Sequence, residues 1–247
     1  MSRWRAAGLH LLISAAIASA VLLVMLMVWY PPPLFQAMGG VGLALILVGV
    51  DVVLGPSLTL VVFKSGKRGL RFDLAVIAAC QIAALAYGCH VISLARPAFL
   101  VFVRGQFQVA TVASLSPEQL AKARYPQFRS PPWTGPVPVY GEFPKDHAKS
   151  QELMFLGLQG IDLQAFPEYY APYEQGRDDI LSRAWPLERV RKEEPAVARV
   201  VDEWLSGSGA RAENLRYLPL RGRISWVAVL IDATTAKPVK MLLTDNI

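Results

Sequence analysis

"GVDVVLGPSLTLVVFKSGKRGLRFDLAVIAACQ", Gly49 to Gln81, sets a lone carboxylate, Asp51, inside an apolar run and follows it with the pair Gly55-Pro56. Four cations then crowd together: Lys64, Lys67, Arg68 and Arg71. The apolar runs on either side of this basic loop are each long enough, as helices, to cross a hydrocarbon core of about 30 Å. They read as membrane spans over residues 41–63 and 74–94. Upstream, Leu9 to Tyr30 is a further 22 residues with no formal charge apart from a protonated His10. That run is longer than the roughly 7 to 15 apolar residues of a secretory signal, and its small residues, "SAAIASA", lie in the middle rather than at a cleavage site. It is therefore read as a retained span over 9–30, ended by Trp29-Tyr30 at the interface and by Pro31 to Pro33, which deny a helix its donors.

Charge gives the direction. Up to Ala95 the chain has six Lys and Arg against Asp51 and Asp73, whereas the remainder carries 19 basic and 17 acidic residues. The excess sits beside apolar segments, which is the pattern of membrane orientation and not of a nucleic-acid surface. The N-terminus and the Lys64 to Arg71 loop are thus expected on the cytoplasmic side, with the proline loop and everything beyond Arg96 outside, in the periplasm of a bacterium. Residues 1–96 form a three-span membrane domain and residues 97–247 an external domain. Cys80 and Cys89, nine helical residues apart, lie roughly 13 Å from one another and cannot pair within one helix.

The external part begins with "PAFLVFVRGQFQVATVASL", a hairpin turning at Arg104-Gly105. "SPEQLAKA" offers Ser116 as N-cap, Pro117 at the first helical position and Gln119 to complete a capping box. Tyr125 to Pro144 holds six prolines, so an extended or turning backbone is expected there, excluding a long helix or a central strand. A helix over 146–158 follows, then the aromatic loop "FPEYYAPYEQG", whose rings are read as packing rather than as a partner platform. Helical segments from Arg177 to Leu205 break at Pro186 and Pro195, and the last part alternates as strands with turns near Arg221-Gly222 and 234–237. The fold class is a membrane protein of three transmembrane α-helices followed by a periplasmic α+β domain with a largely antiparallel sheet.

Catalytic chemistry finds little support. His147 is the sole histidine beyond the apolar helices, and no zinc-protease, phosphate-loop or dinucleotide signature is present. An acid pair of Asp51 and Asp73 fails on distance, at about 33 Å along the helices. No enzyme, cofactor or metal is expected, and no nucleic-acid partner.

Asp51 needs its own account, because a charge at mid-membrane costs roughly 2.5 to 3.5 kcal/mol and normally faces protein or water. Thirteen residues from Lys64 put it roughly 19 Å deep. Ser19, Gln81 and Tyr87 come within one or two helical turns of that depth as possible donors. Pro56 cannot donate to the Val52 carbonyl, so the helix should kink or loosen beside Asp51. Gly42, Gly49 and Pro56 recur on one stripe while Asp51 and Gly55 occupy another, so the span meets protein on two sides. Asp51, Gly55, Pro56 and Gln81 are the candidate intramembrane contact, whose partner is either internal or a helix of another protein.

"WYPPPLF" (29–35), the stretch from Gly49 to Gln81 and "ARPAFLVF" (95–102) together resemble the TfpX/TfpZ family of type IV pilin accessory proteins. The likeness is strongest over residues 1–110 and returns in "YLPLRGR" (217–223) and "VLIDATTAKPVKML" (229–242). It implies a multi-pass inner-membrane protein that binds type IV pilin and modulates its stability, assembly or disassembly, with pilus-assembly proteins and membrane lipid as further neighbours. It carries no catalytic residues and no cofactor. A membrane-tethered periplasmic sensor, or another partner-binding protein, is the alternative.

Overall fold

Apolar runs with no strand to pair with satisfy their own backbone only as helices. In the computed structural model, which describes residues 2–159 and 162–244, they do so as Arg3–Trp29, Gly40–Val62 and Leu70–Ala95, each long and apolar enough to cross a membrane. The helices outrun the apolar windows at 3–8 and 70–73, since alanine, leucine and arginine are good helix formers. Ser2 caps the first by accepting from the Arg5 N–H at 3.3 Å. Leu45, Ile46 and Val61 point outward. The loosening anticipated beside Pro56 takes the form of a π-helical turn, Gly49–Leu54, between α-helical Gly40–Val48 and Gly55–Val62. Asp73 forms an exposed ion pair with Lys67 at 2.7 Å, and both cysteines are free thiols.

The chain resolves into two compact units, one of Met1–Val28 with Gly39–Ala95, the other of Trp29–Met38 with Arg96–Ile247. The loop that joins the first two helices in sequence thus belongs to the second unit.

That second unit is built on an eight-stranded mixed sheet, mostly antiparallel: β1 Pro97–Val103, β2 Gln106–Thr111, β3 Val137–Gly141, β4 Tyr170–Pro172, β5 Trp185–Pro186, β6 Leu215–Arg221, β7 Trp226–Asp232 and β8 Pro238–Thr244. The order is β4-β3-β1-β2-β6-β7-β8, with β5 pairing β6 off this path. Two pairings, β1 with β3 and β2 with β6, are parallel. The β1–β2 hairpin turns at Arg104 (φ 49°) and Gly105 (φ 91°), the left-handed pair that a two-residue loop of this hand requires.

The proline-rich segment corrects one expectation. β3 carries Pro138 and yet lies between β1 and β4. β4 pairs only with Val139 to Gly141, so Pro138 sits beyond its end and no ladder bond is asked of the missing N–H. The capping box at Ser116 closes one way: Ser116 Oγ accepts from the Gln119 N–H at 3.2 Å, while the buried Gln119 Oε1 has no partner among the described residues.

Every residue of β1 is buried, as expected of a strand covered on both faces. Phe99, Val101 and Val103 pack with Leu120, Phe128, Leu153 and Tyr170. Leu100 and Phe102 face the other way, joining Phe107, Leu218, Leu220, Val227 and Val229 beneath Tyr173 and Ile180. A third cluster sets helices Leu187–Glu193 and Pro195–Ser208 against Leu215, Tyr217, Ala228 and Leu230. The aromatic loop is core: Tyr170 is fully buried, and Tyr173 donates to the Ala236 carbonyl at 2.8 Å.

The Trp29–Met38 loop completes the second of these clusters. Leu34 and Ala37 are fully buried in it, and the Ala37 carbonyl accepts from the Ile224 N–H at 2.9 Å. Arg96, buried at the start of the domain, donates to the Pro132 carbonyl at 2.5 Å and lies over the Trp133 ring, which meets Trp29 edge to face. Tyr30 is buried, and burial raises its phenol to about 12 against the opposing pull of Arg96 and Arg223.

Candidate functional site

The π-helical turn positions Asp51. In an i→i+5 pattern the donor due to the Asp51 carbonyl is residue 56, and Pro56 has no N–H. Gln81 of the third helix supplies one in its place, its Nε2 donating to the Asp51 carbonyl at 3.3 Å. Gly55 makes room for that arm, since a Cβ there would stand 1.9 Å from Gln81 Nε2. Gly55, Pro56 and Gln81 are thus brought together around the backbone of Asp51.

The carboxylate itself is left over. Asp51 is 4% exposed, and its Oδ2 has no hydrogen-bond partner among the described residues. A buried acceptor without a donor costs on the order of 1–3 kcal/mol, more when charged. The side chain lines a cleft of about 210 Å³ walled by His10, Ser14 and Ile17 of the first helix and by Ala78, Gln81 and Leu85 of the third. The lining is chiefly aliphatic, with polar atoms only at a few points, so the cleft has room for one or two apolar side chains and for a donor to Asp51.

Of the donors weighed on depth alone, Gln81 arrives but bonds the main chain, whereas Ser19 and Tyr87 are exposed. Two groups escaped the sequence reading. His10 Nδ1 and Thr59 Oγ1 lie 2.6 Å apart, tying the first helix to the second, and Ser14 is buried in the cleft wall. Ser14 is one helical turn from His10 on the same face, a spacing that could have singled it out. Gly42 and Gly49 meet nothing within 4 Å, so that part of the small-residue stripe has no neighbour within the described chain.

Elsewhere, His147 is an exposed residue at the start of helix His147–Leu158. No group of three or more potential ligands is placed to hold a metal ion among the described residues.

Residues 1–39 match the family described as fimbrial assembly protein FimB. Over 237 residues the chain is 28% identical to a fimbrial assembly protein of serogroup I from Dichelobacter nodosus, covering 93% of this chain and 92% of that protein. The serogroup E1 protein of the same organism matches equally. The protein of serogroups C1 and C2 is 31% identical over 118 residues, 47% of this chain and 90% of that one. No solved structure matches.

Proposed function

The chain belongs to the fimbrial assembly protein FimB family, and on that premise we propose that it serves fimbrial assembly by binding a type IV pilin within the bacterial inner membrane. The three apolar helices hold the N-terminus in the cytoplasm and the sheet domain in the periplasm. Inclusion of the Trp29–Met38 loop in the sheet unit supports this topology, because the loop and the domain then emerge on one side. The cleft between the first and third helices seats the pilin's apolar N-terminal helix, and the sheet domain reaches its globular head, so that pilin stability, assembly or disassembly is modulated before or during polymerisation.

One observation carries the reading: Asp51 is 4% exposed, and one of its carboxylate oxygens has no donor among the described residues, at a cleft of chiefly aliphatic walls. A passing lipid tail offers no hydrogen bond, whereas a protein helix can.

Photocrosslinkers placed at Ile17 and Ile82, which line the cleft, test this in a piliated strain. Pilin should be captured, and capture should weaken with Asp51→Leu more than with Asp51→Asn, which keeps the shape and an acceptor. Recovery of neither pilin nor any pilus-assembly protein would sink the idea, as would normal piliation in both variants.

A further inference from the structure

On the face of the sheet covered by helices Leu187–Glu193 and Pro195–Ser208, a second pocket of about 290 Å³ is lined by Gln106, Trp185, Glu194, Tyr217, Pro219 and Trp226. These residues are far apart in sequence, and the strand register gathers them. Tyr217 pairs with Trp185 of β5, Arg221 with Trp226 of β7, and Phe107, next to Gln106, with Leu220. Tyr217, Pro219 and, across the ladder, Trp226 therefore share one face of the pleat. Trp185 stands edge to face with Tyr217 at 6.2 Å.

Glu194 supplies the charge. It is the residue preceding helix Pro195–Ser208, yet its side chain makes no capping bond there. Of the cations nearest in sequence, Arg191 is bonded to Asp202 at 2.7 Å and Arg189 to Glu193 at 3.0 and 3.1 Å, and neither these two nor Lys192 lines the pocket. Among the described residues the Glu194 carboxylate thus has no ion pair. Burial raises the Tyr217 phenol to about 12 and the Glu194 charge adds to the rise, so the phenol stays neutral at physiological pH.

Electron-rich ring faces beside an unneutralised carboxylate recognise organic cations. One face of Trp185 already carries the Arg189 guanidinium, 3.9 Å from its centroid, so the rings left to an incoming cation beside Glu194 are chiefly those of Tyr217 and Trp226. We propose that the Trp185–Glu194–Tyr217–Trp226 pocket is a binding site for an alkylammonium group. The group is either the end of a lysine side chain on a partner polypeptide or a free small ammonium compound. An anionic ligand would meet Glu194, and a neutral sugar would stack on the indoles without calling for a carboxylate. The proposal does not depend on what occupies the Asp51 cleft.

The test titrates the full chain, purified in detergent, with choline, with its neutral isostere 3,3-dimethyl-1-butanol, and with N-acetyl-lysine methylamide with and without ε-acetylation. Calorimetry gives the affinities. Saturable binding of the cations is expected, with each neutral counterpart roughly five- to thirtyfold weaker, the range of a partly desolvated cation–π contact. Glu194→Gln and Trp226→Leu should each weaken cation binding several-fold while leaving the unfolding midpoint of the sheet domain in place, since neither side chain caps a helix or is fully buried. Tighter binding of the lysine derivative than of choline assigns the site to a protein side chain, and the reverse order to a free ammonium. Equal binding of neutral and cationic probes, unchanged affinity in both variants, or no saturable binding overturns the proposal.

Discussion

Leu34→Ala should destabilise the sheet domain, although Leu34 lies in sequence between two membrane-grade helices. Its side chain is fully buried with Ala37 against Phe102, Phe107 and the β6–β7 ladder. Removing three carbons at about 0.8 kcal/mol each forfeits about 2.4 kcal/mol of transfer free energy. The cavity left behind brings the expected loss to about 2–5 kcal/mol, against the roughly 5–15 kcal/mol that holds a typical domain together. The assay is denaturant unfolding of the full chain in detergent, followed by near-ultraviolet dichroism of the domain's tryptophans. The midpoint should fall with little change in slope, and protease should cut more readily between Trp29 and Met38. Leu45→Ala, at a side chain 67% exposed on the second helix, is the control and should leave the midpoint alone. The same reasoning predicts that a fragment of residues 97–247 is less stable than the domain in the full chain and exposes apolar surface. A Leu34→Ala loss below about 0.5 kcal/mol, or a fragment as stable as the intact domain, would refute the claim that the loop is part of the core.

Gly176→Ala would place a Cβ 2.1 Å from the Tyr140 ring, which is stacked on Phe102; a loss of at least about 1–3 kcal/mol is expected in thermal melts, with partial recovery in the double variant with Tyr140→Leu. Gly55→Ala should displace Gln81 from the Asp51 carbonyl and cost the helical unit on the order of 1 kcal/mol, whereas Gly42→Ala and Gly49→Ala, which meet nothing, should cost little of the isolated chain's stability; equal losses in all three would count against the Gln81 contact. Tyr30 and Tyr217 both sit at about 12 in the folded chain because they are buried. The sign follows: their contribution is intact below about 10, the unfolded phenol value, and is lost as pH climbs through about 12. Ultraviolet difference titration should show their ionisation together with unfolding, and Tyr217→Phe should remove part of that alkaline loss; ionisation near 10 in a native domain would contradict it.

Much of this protein is readable from local pattern. The apolar runs and the Arg104-Gly105 turn are local features, so the three long helices and the β1–β2 hairpin are visible in a single pass along the chain. The odd pairing of Asp51 with Gly55-Pro56 was legible too, because a proline removes one identifiable donor. What it could not convey was the sense of the repair. The loosened helix winds as a π turn and Gln81 caps the Asp51 carbonyl, leaving the carboxylate Oδ2 without a donor among the described residues.

The remaining decisions were tertiary. A proline at 138 argues against an interior strand, and only the short reach of β4 makes it compatible with one. The parallel pairing of β2 with β6 joins segments about a hundred residues apart, which no period or turn residue announces. The pocket lined by Trp185, Glu194, Tyr217 and Trp226 is assembled around β6 by its pairings with β5, β7 and β2, from residues that look unremarkable singly. The Trp29–Met38 loop reads as a turn between two helices, yet it is core to a sheet that begins at Pro97. Local spacing records which face of an element is apolar. Which distant face it meets depends on how the whole chain buries its surface, and that is settled only when every element is in place.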